Sequence, residues 1–186
     1  MQNFTNLLRD FQPAFTALIA LIGILTLWNT TRLWGKINRP VIIAFVDINH
    51  AGQGITTYDL VVRNIGNLAA TEIQLKAKEE DIMICIQQEY KDLIASELPS
   101  TFLDGVLKCF SRDLRIVIIS SQESTKNAFG STSGNPQSNM WIYESSFPIK
   151  IAYKDLAGKR YETQMQLVIQ PRDMFANLQW KEQQAG

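Results

Sequence analysis

The pattern of apolar and polar positions changes along this chain. From Phe11 to Thr31 run 21 residues without a charged side chain, and nine of them are Leu, Ile or Phe. As a helix this stretch is about 31 Å long, the thickness of a bilayer's hydrocarbon core. Its aliphatic and phenyl side chains together favour insertion by roughly 3–5 kcal/mol, against Gln12, Asn29 and the threonines. Pro13 suits a first helical turn, and Trp28 and Trp34 fall where indoles prefer the membrane interface. The pattern predicts one transmembrane helix over residues 11–34, preceded by a short N-terminal segment, residues 1–10. No small-x-small cleavage site follows Trp28, which argues against a removed leader.

Beyond Arg39-Pro40 the period falls to two. Val41–Asn49 is rich in β-branched residues and reads as a strand, followed by a glycine turn over His50–Gly54. Ile55–Asn64 is the next strand, with Tyr58, Leu60 and Val62 on one face. Ala70–Ala77 sets Ile73, Leu75 and Ala77 inward against Glu72, Gln74 and Lys76, as in a sheet with one wet face. Leu114–Ile119 predicts another strand. Phe147–Lys154 and Arg160–Ile169 predict a hairpin about Asp155–Lys159. Between Ile82 and Phe110 the signal is divided: Ile82–Ile86 suits a strand and Gln87–Ser96 a short helix. Ser120–Asn139 is polar and aperiodic, predicting a long surface loop near 120–139. A tail over residues 173–186 places Met174, Phe175 and Leu178 on one or two helical turns. Six or more short strands with little helix beyond the span predict an all-β class, an antiparallel β-sandwich over residues 35–172.

Charge adds location. The 18 basic and 18 acidic side chains give zero formal net charge, so no nucleic-acid partner is expected. Arg32, Lys36 and Arg39 follow the span, whereas Arg9 and Asp10 precede it. The positive-inside rule then predicts a single-pass inner (plasma) membrane protein with a cytoplasmic C-terminal domain. Trp28, Arg32, Trp34, Lys36 and Arg39 form the expected interface set. Thr16, Ala20 and Gly23, spaced four then three, offer a small-residue face for packing a second helix.

The segment Val61–Leu75, with Asn64, Gly66 and Ala70, resembles the Asn-x-Gly-x-x-x-Ala pattern of bacterial immunoglobulin-like sandwiches of the CARDB (cell-adhesion-related) type. The chain is also similar to uncharacterised single-span bacterial proteins carrying a membrane helix, an Arg-Pro and such a sandwich. The resemblance implies an immunoglobulin-like antiparallel β-sandwich in which these three residues are structural. Gly66 is expected to supply a turn dihedral and Asn64 to bond nearby backbone.

Catalytic chemistry finds little support. His50, the single histidine, sits in the glycine turn without a nucleophile beside it. Asp47–Gly52 lacks the ligand spacing of a calcium loop. Cys85 and Cys109 are 24 residues apart, without a zinc pattern, and are expected as buried thiols in a reducing cytoplasm or as a disulfide outside it. Glu79-Glu80-Asp81 reads as a solvated acidic loop, and Lys108, Arg112 and Arg115 as a modest basic patch interspersed with Asp104 and Asp113. The expected function is a non-enzymatic, membrane-anchored binding or assembly module without cofactors. Its partners would be the lipid bilayer and a protein or a second copy, met at sheet edges and at the 120–139 loop. The alternative is a small membrane effector or sensor whose helix oligomerises when the sandwich receives a signal.

Overall fold

The computed structural model describes residues 2–52, 54–96, 101–135 and 139–169. The chain divides into two compact units, residues 1–39 and 40–186. The first is one helix, α1 (Gln2–Ile37). It begins well before Phe11, so Pro13 lies inside it rather than in a first turn. Residues 2–10, expected as a short segment before the span, belong to the same helix. A proline interrupts one helical hydrogen bond, a loss that membrane helices tolerate.

The second unit comprises β1 (Ile42–Gly52), β2 (Ile55–Asn64), β3 (Ala70–Lys76), α2 (Glu79–Ile84), α3 (Gln88–Ser96), α4 (Thr101–Cys109), β4 (Ile116–Ile119), β5 (Ser124–Ser133), β6 (Ser146–Asp155) and β7 (Arg160–Val168). Two antiparallel sheets result, one in the order β1-β2-β5 and the other β4-β3-β6-β7. Their inner faces share one core. Ile42, Ala44, Tyr58, Leu60 and Val62 contribute from the first sheet, and Ile73, Leu75, Phe147, Ile149, Ile151 and Leu167 from the second. At one end of that core Trp141 stacks on Phe129 with ring centroids 4.8 Å apart, and its indole N–H donates to the Phe129 carbonyl. Phe110 meets Phe129 and Phe147 edge-on, a preferred aromatic arrangement.

Three expectations are corrected. The strand before the first hairpin continues through His50, Ala51 and Gly52, which pair with Thr57, Thr56 and Ile55. A shift in register after Ile48 absorbs the irregularity, and Gly54, at φ +80°, makes the turn. The polar stretch 120–139 is largely β5, paired along β2 from Ile55↔Ser133 to Arg63↔Ser124. Its inward hydroxyls find partners inside the fold, as where Tyr58 Oη and Thr132 Oγ1 lie 3.0 Å apart. Finally, the described residues between β3 and β4 form three helices: α3 matches the helix expected over Gln87–Ser96, whereas α2 takes up most of the strand expected over Ile82–Ile86. Glu79, Glu80 and Asp81 form the acidic first turn of α2, where negative charge complements the helix dipole. Leu103, Val106 and Phe110 are buried from α4 and its end. The expected helical turns at Met174, Phe175 and Leu178 lie outside the described residues.

Candidate functional site

In the first unit, Phe15–Gly35 is long and apolar enough to cross a membrane, and none of it is buried. Two of its threonine hydroxyls bond within the helix. Thr26 Oγ1 donates to the Ile22 carbonyl at 2.8 Å and Thr31 Oγ1 to the Trp28 carbonyl at 2.9 Å. Such back-bonding lets a hydroxyl sit in hydrocarbon without an unmet partner. Trp28, Arg32, Trp34 and Arg39 are exposed; Lys36 lies in the last turn of the helix. Pro13, Thr16, Ala17 and Ala20 line a shallow groove. A Cβ on Gly23 meets nothing within 4 Å, so Thr16, Ala20 and Gly23 leave room for a close neighbour.

In the second unit, the strand order places β1 and β5 at the edges of one sheet and β4 and β7 at the edges of the other. The β1/β7 side is closed, with the Ala44 N–H reaching Met165 Sδ at 3.4 Å. The β4/β5 side is open, and a cleft of about 260 Å³ lies there. Leu60, Val62, Ile73 and Leu75 floor it, Leu114 just before β4 and Ile116 on it flank one side, and Thr125 and Asn127 from β5 the other. Cys109 lines it as well, receiving a hydrogen bond from Asn127 Nδ2 at 2.9 Å. Burial pushes the Cys109 thiol above its ordinary value. An apolar floor with a few convergent polar groups is the usual form of a binding cleft.

The edge strand beside this cleft is apolar throughout: Ile116, Val117, Ile118 and Ile119. Val117 is 79% exposed and Ile118 52%. The residues that hold this edge in place were legible in sequence. Asn64, fully buried, ends β2 and uses its whole amide. Its Oδ1 accepts from the Val41 and Gly66 N–H groups at 3.2 and 3.0 Å, and its Nδ2 donates to the Leu68 and Ile119 carbonyls at 2.7 and 3.2 Å. Ala70 is buried in β3, between Ile119 and Asp155. Gly66 follows in the same loop, its N–H held by Asn64 and its carbonyl accepting from Ser121 Oγ at 2.7 Å.

On the outer face of the four-stranded sheet, Glu72 sits at a bulge of β3 with φ +50°. Lys154 Nζ lies 2.7 Å and Arg115 Nη1 3.6 Å from its carboxylate. The Lys154 hydrogen bond holds the Glu72 carboxyl below the ordinary range. Sequence reasoning missed this cluster, and it sets Arg115 against Glu72 rather than in a patch with Lys108 and Arg112. Lys108 lines a separate groove with Glu79 and Asp104. Asp47 meets Lys126 Nζ at 3.3 Å. Cys85 and Cys109 are both free and buried. Among the described residues no three His, Cys, Asp or Glu side chains converge on a point where a metal would sit.

The family described as Domain of unknown function (DUF8453) matches residues 11–173, so the chain belongs to that family. No curated protein and no solved structure matches the chain.

Proposed function

We propose that this member of the DUF8453 family is a non-enzymatic, single-pass membrane protein whose folded body is a binding or assembly module. The observation that carries the reading is the unburied apolar run Phe15–Gly35 joined to a separately folded body. Leaving that many aliphatic side chains in water is costly, and lipid removes the cost without requiring a protein cover. The basic residues Arg32, Lys36 and Arg39 support a cytoplasmic body at a bacterial inner membrane. Held there, the body meets membrane partners at a raised effective concentration.

We read the two sheets as an immunoglobulin-like sandwich. The first two strands and the fifth share one sheet, and the third, sixth and seventh the other, as in that fold. The fourth strand joins the third, giving three strands against four. The interaction surface in this reading is the open side between β4 and β5. Chemical crosslinking in native membranes, followed by purification of the full chain, tests it. A stoichiometric protein partner or a second copy is the expected product; a bare monomer contradicts the reading.

The small-residue face of α1 favours a second reading, a sensor or effector that oligomerises through its helix. Gly23→Leu then breaks the oligomer and abolishes function, whereas the binding-module reading tolerates an unrelated span in place of residues 11–34.

A further inference from the structure

We infer that the folded body rests one end on the lipid surface, through the loop after β2 and the turn between β6 and β7. The inference rests on the reading of α1 as a membrane span and adds a second contact with the same bilayer. Pro40 opens the body three residues beyond Ile37, the last residue of α1. Three residues of chain reach at most about 11 Å, whatever the body's orientation. Pro40 is fixed within the fold, its carbonyl accepting from Tyr153 Oη at 3.3 Å. The Val41 N–H donates to Asn64 Oδ1 at 3.2 Å, and the Val41 carbonyl accepts from the Ile65 N–H at 2.8 Å. The point of entry therefore adjoins both the loop that begins at Ile65 and the end of β6.

Both connections raise aliphatic side chains into solvent. Ile65 and Leu68 are 45% and 41% exposed, and Leu156 70%. The turn that carries Leu156 is held by its own polar groups. The Asp155 carboxylate accepts from the Lys159 N–H at 2.9 Å and from Tyr161 Oη at 3.0 Å. Lys159 and Arg160 follow the tip directly. Aliphatic tips beside basic side chains suit the headgroup region, where the alkyl part enters the acyl boundary and the cation meets phosphate.

Exposure alone does not select this end. Ile84, closing α2, is 72% exposed and lies at the other end of the body. Its neighbour Cys85 reaches the Ser146 carbonyl at 3.5 Å, where β6 starts, whereas Leu156 follows where β6 stops. The tether separates the two cases. Close to Pro40 a lipid surface is present at high effective concentration, so a contact too weak to form between separate molecules persists. A fluid surface moulds itself to scattered side chains, whereas a folded partner needs close shape complementarity.

The test uses the full chain at low density in vesicles of phosphatidylcholine and phosphatidylglycerol, floated after an alkaline wash. A nitroxide is attached at Leu156→Cys or, as the control, at Ile84→Cys; the native thiols are buried. Oxygen partitions into lipid and a nickel chelate stays in water, so the ratio of their collisions with the nitroxide reads contact with the bilayer. The oxygen-to-nickel ratio at Leu156→Cys is expected to exceed that at Ile84→Cys severalfold. Adding Ile65→Asp and Leu68→Asp to Leu156→Cys is expected to bring its ratio down to that of Ile84→Cys, with thermal melting unchanged. Equal ratios at the two sites, or indifference to the paired aspartates, overturns the inference. Protection of Leu156→Cys from both probes, the sign of a protein cover such as a second copy, overturns it too. In each of these results the chain still floats with the vesicles, and the span reading stands. A chain that fails to float after the wash overturns both.

Discussion

Asn64 Nδ2 donates to the Ile119 carbonyl across 3.2 Å, fastening the end of β2 in one sheet to the end of β4 in the other. The two residues are 55 positions apart. The same amide also holds Val41, Gly66 and Leu68, so one buried side chain sets where three segments meet. Asn64→Ala leaves several backbone groups unmet and is expected to cost roughly 2–4 kcal/mol. Asn64→Asp is at least as damaging at neutral pH, because an acceptor then faces the Leu68 and Ile119 carbonyls. Urea denaturation of the full chain in detergent measures both.

Gly130 is the second stability prediction. Its φ is +102°, and a Cβ there overlaps the Trp141 indole nitrogen and crowds Met140 Sδ. Gly130→Ala is therefore expected to destabilise by about 2–4 kcal/mol and to loosen the Trp141–Phe129 stack. Thermal melting reads the first effect and near-ultraviolet circular dichroism the second.

Acid stability follows from Glu72. Its carboxyl is held below the ordinary value of 4.5 by the Lys154 hydrogen bond, so the ionised form is favoured in the fold. A depressed carboxyl contributes stability that is present above the unfolded value and lost as pH falls through the folded one. Below pH 4.5 stability is expected to decline, and Glu72→Gln is expected to flatten part of that decline. A series of denaturant titrations from pH 6 to about pH 3 tests the sign.

Cys85 and Cys109 are free, buried and pushed up by burial, so both stay protonated and shielded near neutrality. Alkylation is expected to be slow in the folded chain and fast in denaturant, with equal intact mass under reducing and non-reducing conditions. Rapid modification of the folded chain, or a 2 Da mass difference on reduction, contradicts this.

Much of the fold is legible where one sheet face is wet. Ile73 and Leu75 alternate with Glu72 and Gln74, and the Lys154↔Arg160 hairpin closes over a short loop, so period two survives in the sequence. The Asn64 hub is legible through the Asn-x-Gly-x-x-x-Ala resemblance, which implies that Asn64 bonds nearby backbone. β5 escapes detection for a physical reason. It is an edge strand over an open cleft, so Thr125 and Asn127 face partial solvent where a closed core demands aliphatic side chains. Phe129 is its one large buried side chain. The helices between β3 and β4 left a usable signal: Leu103, Val106, Leu107 and Phe110 recur at helical spacing, and an acidic triplet opens α2. The β4 edge was visible too, as an uncharged run between Arg115 and Glu123, but sequence does not reveal which strand lies at an edge.

The central claim is that Phe15–Gly35 lives in lipid while the body folds in water. Alkaline carbonate extraction of membranes from cells expressing the full chain tests it most directly. The chain is expected to stay in the membrane pellet, and a variant lacking residues 2–37 to move to the supernatant as a folded protein. Release of the intact full chain as a soluble, monodisperse protein without detergent contradicts the account.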